Sequence, residues 1–258
     1  MTIALDIEGE IAVLRIDHGP ANTLDTQSCR ELVRRLEDAE AARAVVLTGT
    51  GDIFSAGVDL KKIRDGGPAY VSEFLPELSD ALLAVFGFPR PVIAALNGPA
   101  IAGGAVLAAA CDHRVMADGP GAIGVTELFV GLPFPLAAVE ILRCAYGTPT
   151  LPWLTYGARI HLGAEALSRG LVDKLTPPDE TEYWALHAAR LYTELPAEAF
   201  AHTKAQIRQP FHERIAEYRH SDDPRVEHLW RSPAAQRSVK AFVERVLSRR
   251  ERPTPPAP

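Results

Sequence analysis

An α/β fold with a helical C-terminal region is what this sequence predicts, on three observations. Short apolar runs of strand character alternate with helical stretches as far as about residue 178. One of these runs, Pro91–Leu96, turns through the strong breakers Asn97-Gly98-Pro99 into a helix built of glycine, alanine and small aliphatics from about Gly103. From Glu180 onward, more strongly charged helical segments replace the alternation.

Ile3–Ile7 and Ile11–Ile16 flank Glu8-Gly9-Glu10 and read as a β-hairpin. Gly19–Thr23 is a loop, after which Asp25 or Thr26 can cap a helix to about Glu40, with Leu32, Val33 and Leu36 on one face. Ala44–Thr48 is a short buried strand, and Gly49–Asp59 a long glycine-punctuated loop. A helix over Pro68–Phe86 carries Val71, Phe74, Leu75, Leu78 and Leu82. The Val92–Leu96 strand, the Gly103 helix and a strand at His113–Met116 repeat the rhythm. Pro135–Ala145, Leu151–Tyr156 and Gly163–Arg169 read as helices, and Leu171–Leu175 as a strand. The C-terminal part divides into helices at Glu182–Glu194, Ala197–Arg208, a looser Phe211–His228, and Pro233–Leu247. The division expected is therefore a core at 1–178, a helical region at 179–249 that covers the core or a partner, and a disordered Pro-rich tail at 250–258.

The 258 residues are 47% hydrophobic and 23% charged, enough to build an ordinary core and too apolar for general disorder. No apolar run approaches the length of a membrane-spanning helix, and Met1–Asp6 lacks the basic and apolar regions of a signal peptide. The three cysteines, Cys29, Cys111 and Cys144, are too widely spaced for a disulfide framework or a metal site. A cytoplasmic location and no metal are expected. A net charge of −6 argues against a nucleic-acid surface.

The chemistry concentrates between Asn97 and Gly131. The first amides of the Gly103 helix lack intrahelical acceptors and carry the positive end of the helix dipole, which suits a developing oxyanion. Glu127 is the one carboxylate in the uncharged stretch Ile123–Gly131. It reads either as a desolvated acid/base of raised pKa or as a surface carboxylate at a helix start. Gly49-Thr-Gly-Asp-Ile-Phe54 lacks the third glycine of a dinucleotide fingerprint, and Ser55 lacks nucleophile-elbow spacing. Cys111 reads as inert packing and Asp112 as a structural residue at a turn into a strand. His18 and His161 are expected at the surface.

Phe54-Ser-Ala-Gly-Val-Asp-Leu-Lys61 together with Asn97-Gly-Pro-Ala-Ile-Ala-Gly-Gly104 resembles the paired oxyanion loops of the crotonase superfamily, the enoyl-CoA hydratases and isomerases. The likeness spans roughly residues 3 to 247, and Leu162–Asp173 also fits the family's distal segment. It implies a spiral of ββα turns, an acyl-CoA thioester substrate with no separate cofactor, and homotrimers or dimers of trimers formed through the helical region. It further implies an oxyanion hole from the backbone amides of Val58 and Gly103, with Glu127 as the catalytic residue. Ala21, Ala56, Asp59, Leu60, Lys61, Ala102, Val106, Thr126 and Pro135 would then contact substrate or its CoA part.

Hydratases of this family carry two glutamates; here Val106 stands at the first position and Glu127 at the second. Val106 lies three residues after Gly103, on the same side of a helix. One carboxylate is a poor match to hydration and a good match to a double-bond shift. The pattern is therefore most similar to the Δ3,Δ2-enoyl-CoA isomerases. A hydratase or thioester hydrolase, and a non-catalytic acyl-CoA-binding protein, are the alternatives. Lys61, Lys62 and Arg64 form either a solvated face or a contact for the CoA phosphates. Phe134, with Phe74 and Leu78 on the facing helix, reads either as an acyl-pocket wall or as core.

Overall fold

The computed structural model describes residues 2–250, with side chains through Ser248. In chain order the elements begin with β1 (Ile3–Glu8), β2 (Ile11–Ile16), α1 (Thr26–Asp38), β3 (Ala44–Gly49), α2 (Leu60–Gly87) and β4 (Val92–Leu96). There follow β5 (Ala100–Ile101), α3 (Gly103–Ala110), β6 (His113–Ala117), β7 (Ala122–Gly124), α4 (Leu136–Tyr146), α5 (Leu151–Tyr156), β8 (His161–Leu162) and α6 (Gly163–Ser168). β9 (Lys174–Thr176), α7 (Thr181–Thr193), α8 (Ala197–Arg231) and α9 (Pro233–Arg250) complete the order.

A six-stranded sheet of order β1-β2-β3-β4-β6-β9 forms the frame, parallel except for the β1–β2 hairpin. Its strands read as continuous apolar runs because both faces are covered. Alternate residues point oppositely. Leu14, Leu47, Ala94 and Met116 join the main core with α1, α2 and α3, whereas Val13, Val46, Ile93 and Val115 pack on Ala185, Leu186 and Ala189 of α7. After β4 and again after β6, the chain adds a short strand to a second sheet of order β5-β7-β8 before turning into a helix. This is the crotonase-type ββα spiral. The two- and three-residue strands of that second sheet are too short to show periodicity and were not expected.

Asp25 caps α1 in a capping box with Ser28. α2 begins earlier than expected, at Leu60, and breaks at Gly67, where φ is +58° and helix geometry fails. The strand expected over Leu171–Leu175 forms only at Lys174–Thr176. Leu171 and Val172 are drawn into the core instead, and Gly170 before them has φ +69°. α8 runs unbroken where a division near Pro210 was expected. Packing along α4 and α2 outweighs the hydrogen bonds forfeited at Pro210 and Pro224. The tail expected to be disordered lies outside the described residues, save for Arg250, which ends α9.

Val226, Trp230, Ala235, Val239 and Val243 of the C-terminal helices belong to the main core, so α8 and α9 lean on the spiral itself. Asp112, between α3 and β6, ties α8 in place. Its Oδ2 accepts from Val92 N (2.8 Å) and Lys204 Nζ (2.7 Å), and its Oδ1 from Arg208 Nη2 (2.7 Å).

Candidate active site

β3 and β4 are parallel neighbours, so the loops that follow them leave the sheet side by side at its carboxyl edge, where open α/β sheets place ligands. Side chains stitch the loops together. Asn97 Oδ1 accepts from Gly49 N (3.2 Å) while its Nδ2 donates to Gly51 O (2.8 Å), and Asn22 Nδ2 donates to Ile53 O (2.9 Å). Ile101 N donates to Ser55 O (2.9 Å), and a Cβ on Gly104 would stand 2.3 Å from that same carbonyl. Gly57 has φ +78°, and a Cβ there would meet Gly103 N at 2.7 Å. Only glycine satisfies both demands.

This close approach brings Gly103 against Gly57 and the Val58 side chain. Among the described residues neither the Val58 amide nor the Gly103 amide finds an acceptor. Gly103 N is an orphan by position, being the first residue of α3. The preceding Ala102 sits at φ +53°, ψ −127°, a conformation costly for any residue with a Cβ. Strain held at the point where a free amide is aimed is a mark of a functional site.

The small sheet delivers Glu127 to the same place. Ala102 N donates to Gly124 O (2.8 Å), and three residues on the chain enters the single-turn helix Glu127–Val130. Gly131, at φ +75°, turns the chain back so that Leu132 N bonds Glu127 O at 3.1 Å. Glu127 is 8% exposed, and its Oε2 has no hydrogen-bond partner. Burial pushes the carboxyl up to about 8, with the Glu127 and Thr126 backbone opposing the shift. It lines a cavity of about 350 Å3 whose lining, among the described residues, is apolar apart from Thr126, Glu127 and the Trp230 indole N–H. Two unspent amide donors and one proton-carrying carboxyl in an apolar pocket suit proton transfer next to a carbonyl.

The family model described as enoyl-CoA hydratase/isomerase matches residues 6–249. The chain belongs to the enoyl-CoA hydratase/isomerase family. It is 28% identical over 246 residues to human mitochondrial enoyl-CoA delta isomerase 1, covering 93% of this chain and 82% of that one. A putative enoyl-CoA hydratase of Thermus thermophilus is 36% identical over 194 residues, covering 72% and 74%. The crystal structure of human mitochondrial delta3-delta2-enoyl-CoA isomerase superposes with a TM-score of 0.92 at 26% identity, covering 96% of this chain and 99% of that one. As a member, this chain is an enzyme of a family that acts on acyl-CoA thioesters.

Of the residues that the sequence brought forward, Ala56, Val58, Leu60, Ala102, Thr126 and Glu127 line this family member's cavity, and Gly103 adjoins Gly57 and Val58. The others stand outside the lining. Ala21 supplies a carbonyl to Ala56 N (3.0 Å), Asp59 caps α2 by accepting from Lys61 N and Lys62 N, and Lys61 is exposed. Pro135 starts α4, and Val106 is packed into the core at 1% exposure.

Readings left open for Phe74, Leu78, Phe134, Lys62 and Arg64 are decided here, and the surface placement of His18 and His161 needs correction. Phe74 is core, stacked on Tyr70, and Phe134 and Leu78 also lie outside the lining. The aromatic walls are Phe129, Trp230 and Phe242 instead. Lys62 pairs with the buried Asp25, and Arg64 with Asp65, so neither is a free cation. His161 is buried rather than at the surface, its ring 4.7 Å from that of Trp153. His18 is half-buried against Asp25 at 2.6 Å. Trp230 and Phe242 had no local signal. Phe129 did have one, as an aromatic two residues beyond the lone carboxylate.

Gly57→Ala is expected to push the Gly103 amide away and reduce kcat about a hundredfold, the loss typical of one oxyanion donor. Steady-state kinetics on the folded variant test this. A rate within threefold of wild type contradicts the amide pair.

Proposed function

We propose that this enzyme moves the double bond of a 3-enoyl-CoA to the 2-position, with Glu127 as the single acid/base. The observation that carries this reading is the solitary carboxyl. Among the described residues, Glu127 is the one titratable side chain of the cavity lining.

Glu127 takes a proton from C2 of the thioester. The electron pair of that C–H bond becomes the C1–C2 π bond of a dienolate, the carbonyl π pair moves onto the thioester oxygen, and the C3–C4 double bond stays in place. Val58 N–H and Gly103 N–H donate to that oxygen; donors already in place cost no reorganisation as charge grows. Glu127 then returns the proton to C4, where the C3–C4 π pair becomes the new C–H bond, as the C1–C2 π pair shifts to C2–C3 and the oxygen re-forms the carbonyl. No electrons leave the substrate, so the reaction as written needs no redox partner. Hydration would require one group to activate water and another to protonate C2, and the described lining offers one such group, Glu127.

The deciding experiment supplies a 3-enoyl-CoA and a 2-enoyl-CoA separately and identifies products by mass. Isomerised product of unchanged mass from the 3-enoyl-CoA is expected. Rapid addition of water to the 2-enoyl-CoA, without isomerisation, refutes the proposal in favour of a hydratase.

A further inference from the structure

The far wall of the cavity comes from the C-terminal helices rather than from the spiral. Trp230, in the last turn of α8, is 1% exposed, and its indole Nε1 donates to Pro133 O at 2.7 Å. That carbonyl belongs to the segment returning from Glu127 through Gly131 and Leu132, so the indole is fastened to the strip of chain that carries the base. Phe242 of α9 meets Phe129 edge-on, with ring centres 6.4 Å apart. The Arg245 guanidinium lies over both rings, at 5.4 Å and 5.2 Å. These aromatics share one cavity with Val58, Glu127, Val130 and Leu132, so an acyl chain whose thioester oxygen is held at Val58 and Gly103 has them within the same enclosure.

The geometry points to Trp230 as a fixed floor and Phe242 as a clamped rim that together set the acyl-chain length the enzyme accepts. The inference rests on the proposed isomerisation for its rate assay, though not for its binding assay. The indole is locked by its hydrogen bond and by dense packing, so a chain that reaches it is stopped rather than accommodated. Each further methylene that finds apolar burial strengthens binding roughly fourfold, and one that meets a wall gains nothing. Room for two more is worth about fifteenfold.

The test is the ratio of kcat/KM for 3-dodecenoyl-CoA to that for 3-hexenoyl-CoA in wild type, Phe242→Ala and Trp230→Leu. Both variants are expected to raise this ratio at least tenfold, whatever happens to the absolute rates. Phe242 is half-buried on α9, so its variant decides the matter if Trp230→Leu fails to fold. An unchanged ratio in folded Phe242→Ala overturns the inference. Kd values for dodecanoyl-CoA and hexanoyl-CoA are measured alongside. If wild type isomerises nothing, the function reading fails, yet a tenfold rise in the Kd-derived ratio still supports the length gate and its absence still overturns it.

Discussion

Glu127→Gln is expected to lower kcat/KM for a 3-enoyl-CoA by about a hundred- to ten-thousandfold, the usual worth of a positioned acid/base. Glutamine keeps the shape and the neutral charge of the protonated acid but cannot carry the proton. On the proposed mechanism, the free carboxylate is the active form in wild type. With the carboxyl raised to about 8, kcat/KM should climb tenfold per pH unit below that value and level off above it. A flat profile through this range contradicts the assignment.

The same residue gives an independent signature in stability. Between 4.5 and about 8 the folded protein holds a proton at Glu127 that the unfolded chain has released. Stability from this group is therefore full below 4.5 and falls as pH rises toward 8, with a deficit of about 3 kcal/mol at pH 7. Glu127→Gln removes that slope. Its melting temperature should exceed that of wild type by a margin that widens with pH, as strained or desolvated catalytic groups commonly show. Parallel melting curves would mean that the carboxylate is not desolvated.

Asp112→Ala is expected to cost about 3–5 kcal/mol, because it strands two buried cations. Lys204 and Arg208 have side chains only 7% and 8% exposed, and Asp112 is the carboxylate both of them reach. Burial already pushes Lys204 down to about 8, and without Asp112 its charged form loses its main support. Chemical denaturation measures the loss. A useful contrast is Glu77→Ala, whose partner Arg30 is 56% exposed, so that water screens the ion pair and its loss should cost far less. Equal losses in the two variants would show that Asp112 does not hold α8. Because α8 carries Trp230, partial release of the helix should also weaken acyl-CoA binding.

Local chemistry made part of this molecule legible from its residues. The hairpin around Gly9, the Asp25 cap and the two glycine-rich loops follow from turn and capping preferences within a few residues, and the structure has them in those places. The meeting of Val58, Gly103 and Glu127 could be anticipated only through the family likeness, since 69 residues separate Val58 from Glu127. The second sheet escaped because strands of two or three residues have no period to read. α8 appeared divided because Pro210 argues for a break, and nothing local reveals the Asp112 anchor that spans 92 residues to Lys204. Trp230 and Phe242 enter the cavity by tertiary packing, which leaves no trace at their own positions.

A polypeptide is synthesised from its N-terminus, and its early parts can fold before its late parts exist. Val58, Gly103 and Glu127 are all made about a hundred residues before Trp230 and Phe242. A half-made chain therefore has its reacting groups and no enclosure for the acyl tail. On the proposed function, the wall that encloses the acyl tail is therefore the last part of the cavity to be made, with α8 and α9.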